Sequence, residues 1–386
     1  MSDPVRFVRC VLLGQVYRDH TERSGYVRLA GAMPEAEAVL VDQSPPMSRL
    51  LRGLAWAGRR RSATRWLSVA GLRMEMAAVR RMLMRPRPTV FHLLYGEAGF
   101  AWAARWARRC GHACVATFHL PSSLAPTVLS RPREIALLDG VVLVGSSQRS
   151  FFEQYVSDAG RLWVVPHGVD CDYFVPGPPR DGRGFTCLSV GSFLRDYEVL
   201  GRVADAFLQT PEVRFIVVAP PQAAPGLAGR PNVAVVHGLS DAELLRAYQT
   251  SEAFVLTAED ATANNALLEA MACGLPVVAE DVGSVRDYVN EANGSLCRPN
   301  DVSALVGAIR ALVADRRRAR SMGAASRCRA EELSWSRVAE RIREIHRCVL
   351  DPGGAFQARP RTHGPQVHTP RPHEPAGAVP GSVFGS

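Results

Sequence analysis

The sequence predicts an α/β chain of two Rossmann-like domains facing a central cleft, with a disordered C-terminal tail. Its 386 residues exceed what one hydrophobic core usually organises. Short apolar runs alternate with helix-length segments in two successive stretches, the pattern of parallel β-α-β units. A Pro/Gly-rich break at residues 176–184 separates them and reads as a domain boundary.

In the first stretch, residues 1–175, strands are expected at 7–13, 38–41, 89–94, 113–118, 140–144 and 162–165. Helical patterns around 69–84, 97–109 and 146–156 lie between them. The alternation restarts in a second domain, 185–333, with strands at 185–190, 213–219, 233–236, 253–256 and 276–279. Its helices are expected at 196–208, 241–249, 265–273, 284–290 and 301–314. A last helix, 334–350, is long enough to cross back to the first domain. Residues 351–386 are rich in Pro, Gly and His without apolar periodicity, which reads as a disordered tail. His363, His368 and His373 recur there at five-residue spacing, a poor basis for a metal site. Two such domains place a ligand cleft at the carboxyl ends of their strands.

Composition narrows the chemistry. The chain contains no lysine, so every basic residue is arginine. That excludes a Walker A loop, a Schiff-base lysine and a pyridoxal-phosphate anchor, each of which needs the ammonium group. Anions must be met by guanidinium forks, backbone amides and helix N-termini. The net charge is +9, and between Arg52 and Arg87 ten arginines accompany one acid, Glu75. Two readings of that stretch stand. It is either a solvated basic face on ordinary helices, or a peripheral contact with an anionic membrane through Trp56, Trp66, Leu67 and Met74. Nucleic acid is not expected, because no recognition motif accompanies the charge. No apolar run suits a transmembrane helix, the N-terminal run is too interrupted for a signal peptide, and the nine cysteines are scattered. The expectation is a cytoplasmic protein, with the inner membrane face as its one alternative address.

The most informative segment is ATANNALLEAMACGLPVVAEDVGSVRDYV, residues 261–289. A polar turn, Thr262, Ala263, Asn264 and Asn265, opens a short helix that carries Glu269 and stops at Gly274-Leu275-Pro276. A helix N-terminus at a sheet edge offers free amides and partial positive charge to a diphosphate. A carboxylate one turn further in can accept both hydroxyls of a ribose. A capped helix with a surface glutamate would look the same.

LLEAMACGLPVVA resembles the signature of the retaining glycosyltransferases of family 4, group 1, which have the GT-B fold. VVPHGVDCDYFVPG, CLSVGSFLRDYEVL, VHGLSDAELLRAYQTSEAFVLT and ELSWSRVAERIREIHR resemble other elements of that family, in order, over residues 90–348. The resemblance implies a nucleotide-sugar donor held by the C-terminal domain and an acceptor held by the N-terminal one. Glu269 would bind the donor ribose, and Arg195, where the family usually carries lysine, would contact the diphosphate. Gly191 would let backbone approach the phosphates, with Ser192 standing where the family has an arginine. His119 would lie near the reacting sugar, with a backbone-satisfied loop histidine as the alternative. His92 and Glu97 are weaker acceptor-side candidates, and Glu97 could equally answer a helix dipole. The family's first glutamate falls on Ala261, so Asp260, Glu259, Asn264 or Asn265 would have to supply that contact.

The resemblance thus implies a retaining, metal-independent hexosyltransferase without a cofactor, acting on a glycan, lipid-linked or small acceptor. A silent nucleotide-sugar-binding scaffold, or an epimerase or hydrolase of the same fold, is the alternative. Asp170-Cys171-Asp172 and the Cys110, His112, Cys114 group mimic metal motifs but lack partners at ligand spacing. No Gly-x-Gly-x-x-Gly follows the first strand, which argues against a dinucleotide oxidoreductase.

Overall fold

The computed structural model describes residues 8–16, 23–42, 62–178 and 184–351. The tail from residue 352 and residues 43–61, which include the 52–61 part of the arginine stretch and Trp56, lie outside the described residues.

β1 (Cys10–Val16), β2 (Glu37–Asp42), β3 (Val90–Leu93), β4 (Ala113–Phe118), β5 (Gly140–Leu143) and β6 (Leu162–Val164) form one six-stranded sheet. Its order is β2-β1-β3-β4-β5-β6, and every pair is parallel. β7 (Phe185–Val190), β8 (Val213–Val218), β9 (Val233–Val236), β10 (Ala253–Leu256), β11 (Val277–Glu280) and β12 (Gly294–Cys297) form a second parallel sheet, ordered β12-β11-β10-β7-β8-β9. β3, β4, β5, β10 and β11 are buried along their whole length, which is why they read as unbroken apolar runs. In each sheet the winding reverses once, between β1 and β3 and between β7 and β10. Crevices outside the carboxyl ends of such strand pairs are where open α/β sheets bind ligands.

β12 and the helix Arg316–Glu332 were not anticipated. β12 is four residues long, and the helix is so arginine-rich that it shows no apolar stripe. Its close approach is made by Gly323. A Cβ there would stand 2.2 Å from the Gly274 carbonyl, just past the helix Asn265–Ala272. Two expected helices are shorter in the structure. Residues 146–156 give Ser146–Gln148 and Arg149–Phe152, and 284–290 gives only Val285–Asp287.

The closing helix, Trp335–Leu350, buries Val338, Ala339, Ile342 and Ile345 among Leu12, Val90, Val115 and Val142 of the first sheet. Arg343 fastens it there, donating to Glu35 at 2.7 Å and to the Ala32 carbonyl at 2.8 Å.

The basic stretch is corrected in part. Leu67 and Met74 face the protein core and cannot meet acyl chains. The outer face of the helix Val69–Met84 instead carries Arg73, Met76, Arg80, Leu83 and Met84, with Trp66 exposed beside its start. Among the described residues, no helix is long and apolar enough to cross a membrane.

Candidate functional site

At the reversal of the second sheet, β7 ends in Gly191, whose φ of 99° is a conformation that L side chains rarely adopt. The chain then turns through exposed Ser192 and Phe193 into the helix Tyr197–Asp205, capped by Asp196. Arg195 folds back under this turn. It donates to the Val190 carbonyl through Nε at 3.1 Å and Nη2 at 2.8 Å, and to the Phe193 carbonyl through Nη1 at 3.3 Å. Its Nη2 also reaches Asn264 Oδ1 at 3.1 Å. Burial pulls the guanidinium below its usual value. The same Asn264 oxygen accepts from Leu267 N at 3.1 Å and so caps the helix Asn265–Ala272. Arg195, Gly191 and the start of that helix are therefore one construction.

Glu269 is buried one turn inside the helix. Tyr248 donates to its Oε2 at 2.8 Å, and Ser24, from the loop after β1, donates to its Oε1. Burial pushes the carboxyl up to about 7 against the pull of these two donors. Ser24, Glu269, Asn265, Gly168 and Trp335 line a cavity of about 10 Å³ between the two sheets. Ligand sites for drug-sized molecules run from about 300 Å³ upward, so the cleft is closed in this conformation.

The turn that precedes the helix touches the first half directly. Thr262 donates to the His119 carbonyl at 2.5 Å, and Ser123 donates to Asp260. Ala261 is buried, its carbonyl accepting from Ser284 N at 2.7 Å. Of the two acids considered as substitutes for the missing glutamate, Asp260 accepts from Ser123 of the first half and Glu259 is exposed. Ala263 borders the core shared with the closing helix.

His119 follows β4. Its Nδ1 donates to Glu97 Oε1 at 3.1 Å, and its backbone N to Glu97 Oε2 at 3.3 Å. Tyr95 and Tyr26 pack on the ring with centroids 4.7 and 4.9 Å away, and His167 lies 6.1 Å off. Gln148 holds the chain on both sides of His119, donating to the carbonyls of Phe118 at 3.0 Å and Leu120 at 2.8 Å.

Hydrogen bonds thus join His119 to Glu97 and Thr262, and join Arg195 through Asn264 to the helix whose Glu269 lines the cavity. His92 does not join them. It is fully buried, Nδ1 against His346 Nε2 at 3.0 Å and Nε2 against Thr117 at 2.8 Å. Burial and the neighbouring His346 hold its pKa well below the ordinary value, so the acceptor-side expectation for it is corrected. Asp170, the metal-like decoy, pairs with Arg28 at 3.1 Å and caps the Tyr173 turn. Ser24, Tyr26, Tyr248, Gln148, His167 and Trp335 were missed as site residues. His167, Tyr248 and Trp335 stand inside motifs that were recognised, which is the one signal that could have found them.

Residues 224–329 match the family model described as glycosyl transferases group 1. The D-inositol 3-phosphate glycosyltransferase of Xylanimonas cellulosilytica is 27% identical over 66% of this chain and 69% of its own length. The alpha-maltose-1-phosphate synthase of Mycolicibacterium smegmatis is 30% identical over 55% of this chain and 63% of its own. Among solved structures, Anabaena HepE in complex with UDP-glucose superposes with a TM-score of 0.64 at 14% identity, over 87% of this chain and 98% of that one. Two parallel sheets, each with one reversal of winding, give the chain the GT-B fold of that solved structure, and residues 224–329, the segment that carries Glu269, are similar to the glycosyl transferases of group 1.

Proposed function

We propose that the protein is a retaining, metal-independent hexosyltransferase of family 4 that takes its sugar from a nucleotide-sugar. The observation that carries this reading is Glu269. A buried carboxylate with one oxygen on Tyr248 and the other on a displaceable serine suits a pair of ribose hydroxyls. The diphosphate would lie at the start of the helix Asn265–Ala272 and over Gly191, where helix amides and the Arg195 charge meet it without a cation. The bond from the anomeric carbon to the phosphate oxygen breaks while the acceptor oxygen bonds on the same face. The acceptor proton passes to the departing phosphate, so no protein carboxylate pair is required. HepE in complex with UDP-glucose makes UDP-glucose the first donor to try. The names of the two curated relatives make a polyol phosphate or a phosphorylated glucan the first acceptors to try.

The test is thermal stability against a panel of nucleotide-sugars, for the native protein and Glu269→Ala. Ligand at a hundred times its dissociation constant stabilises by about 2.7 kcal/mol. A shift with one nucleotide, absent in the variant, supports the reading. No shift with any donor moves the protein to the silent-scaffold alternative, which the alanine at position 261 favours.

We further propose peripheral contact with anionic lipid through the outer face of Val69–Met84, where Arg73 and Arg80 flank Met76, Leu83 and Met84. Vesicles with 30% phosphatidylglycerol should sediment the protein and release Met76→Glu/Leu83→Glu. Equal sedimentation of both proteins removes this contact.

A further inference from the structure

We infer that Glu97 is a positioning residue for His119, fixing its ring with Nδ1 protonated so that Nε2 is left to accept from a hydroxyl of the transferred sugar. For the group that meets Nε2, this assignment rests on the nucleotide-sugar reading. For the rest it rests on contacts already described.

A carboxylate accepts hydrogen bonds and donates none, so the 3.1 Å contact with Glu97 puts the proton on Nδ1. The second oxygen takes the backbone N–H of the same residue, so Glu97 references both the ring and its peptide. Tyr26 and Tyr95 both pack on the ring, so it cannot turn over without repacking them. His119 Nε2 is buried and has no hydrogen-bond partner among the described residues. Buried polar atoms left in that state are uncommon, and a hydroxyl of a bound sugar is a group that would satisfy one.

Glu97 is itself held rigidly. Thr64 donates to its carbonyl at 2.6 Å. Gly96, just before it, lies so close to Phe118 that a Cβ would stand 2.7 Å from that ring. The charged and titratable groups around the imidazole are Glu97, Tyr26, Tyr95 and His167, with His92 deeper in the sheet. Glu97 supplies the acceptor at Nδ1, and a carboxylate in that place is what selects one imidazole tautomer over the other.

The experiment is ¹⁵N NMR of histidine-labelled full-length protein, with His119 identified by His119→Asn, beside transfer kinetics with the donor found by thermal shift. In the native protein His119 should be the Nδ1–H tautomer. Glu97→Ala should revert to Nε2–H, the form free imidazole favours, and lose on the order of 100-fold in kcat with donor KM within about threefold. Glu97→Gln keeps an acceptor oxygen at the same reach and should restore both the tautomer and most of kcat. A merely structural Glu97 would lower thermal stability in both variants and change kcat and KM together, with no rescue by glutamine. An Nε2–H ring in the native protein, or an unchanged tautomer in Glu97→Ala, overturns the assignment. Absence of turnover with every donor would instead defeat the nucleotide-sugar reading, and the tautomer measurement would still decide the link between Glu97 and His119.

Discussion

Thr262 donates its hydroxyl hydrogen to the His119 carbonyl at 2.5 Å, so the turn that opens the helix of Glu269 is tied to the end of β4 in the other half of the molecule. Ser24 makes a second such tie by reaching Glu269 itself. Any ligand entering between Glu269 and the loop after β1 must replace that hydroxyl before it gains a contact of its own.

Ser24→Ala should therefore tighten nucleotide binding about tenfold, because a competing hydrogen bond to a carboxylate is removed from the empty state only. Isothermal titration with UDP, or with whichever nucleotide shifts the melting point, measures this. Weaker binding in the variant would mean that Ser24 serves the bound state instead.

Glu269 should make that binding depend on pH. Its carboxyl is raised to about 7 by burial, and hydroxyl donors prefer the ionised form. Affinity should hold above that value and fall up to about tenfold per pH unit below it. Glu269→Gln should bind weakly at every pH, with a flat profile. A sloping profile in Glu269→Gln would place the titration on another group.

Two buried groups should pull stability in opposite directions. Burial raises Glu75 to about 7 although Ala103 and Trp102 donate backbone hydrogen bonds to it. A folded value above the ordinary 4.5 keeps its proton bound longer in the folded state. Its contribution is thus complete below pH 4.5 and lost as pH rises through about 7, on the order of 3 kcal/mol. Burial lowers His346 to about 3, which removes stability as pH falls below 6.5. Urea denaturation of Glu75→Gln at pH 5 and 7.5 should show the gap from the native protein closing, then reversing, as pH rises. A constant gap would show that Glu75 titrates normally.

Gly283→Ala should cost about 2–4 kcal/mol through overlap and backbone strain. The added Cβ would stand 2.0 Å from the Ala261 carbonyl, at a φ of 53°. Denaturation gives the loss directly. A neutral substitution would mean that the turn at 261 moves freely, contrary to its packing against Ser284.

The strands were legible because buried parallel strands such as β4 and β10 are written as largely apolar runs, and the Asn264 cap is local enough to read from ANNALLEA. What escaped was set by meetings across the chain. Ser24 and Glu269 are 245 residues apart, and His92 and His346 are 254 apart. A histidine on a strand carries no mark of the face it will take, so His92 read as a cleft residue until the closing helix was seen to cover it. Glu97 lay at the expected start of a helix, where a carboxylate facing the dipole and one facing a histidine look alike.

That closing helix also fixes an order of events during synthesis. Trp335–Leu350 supplies part of the core beneath β1, β3 and β4, yet it leaves the ribosome about 170 residues after β6, some 10–35 s later at ordinary elongation rates. Until then one face of the first sheet has only part of its native cover, from Tyr26, Leu29 and Met33. The amino-terminal half must wait, bare or chaperoned, for the last helix to arrive, and a gene fragment encoding that half alone should yield aggregate.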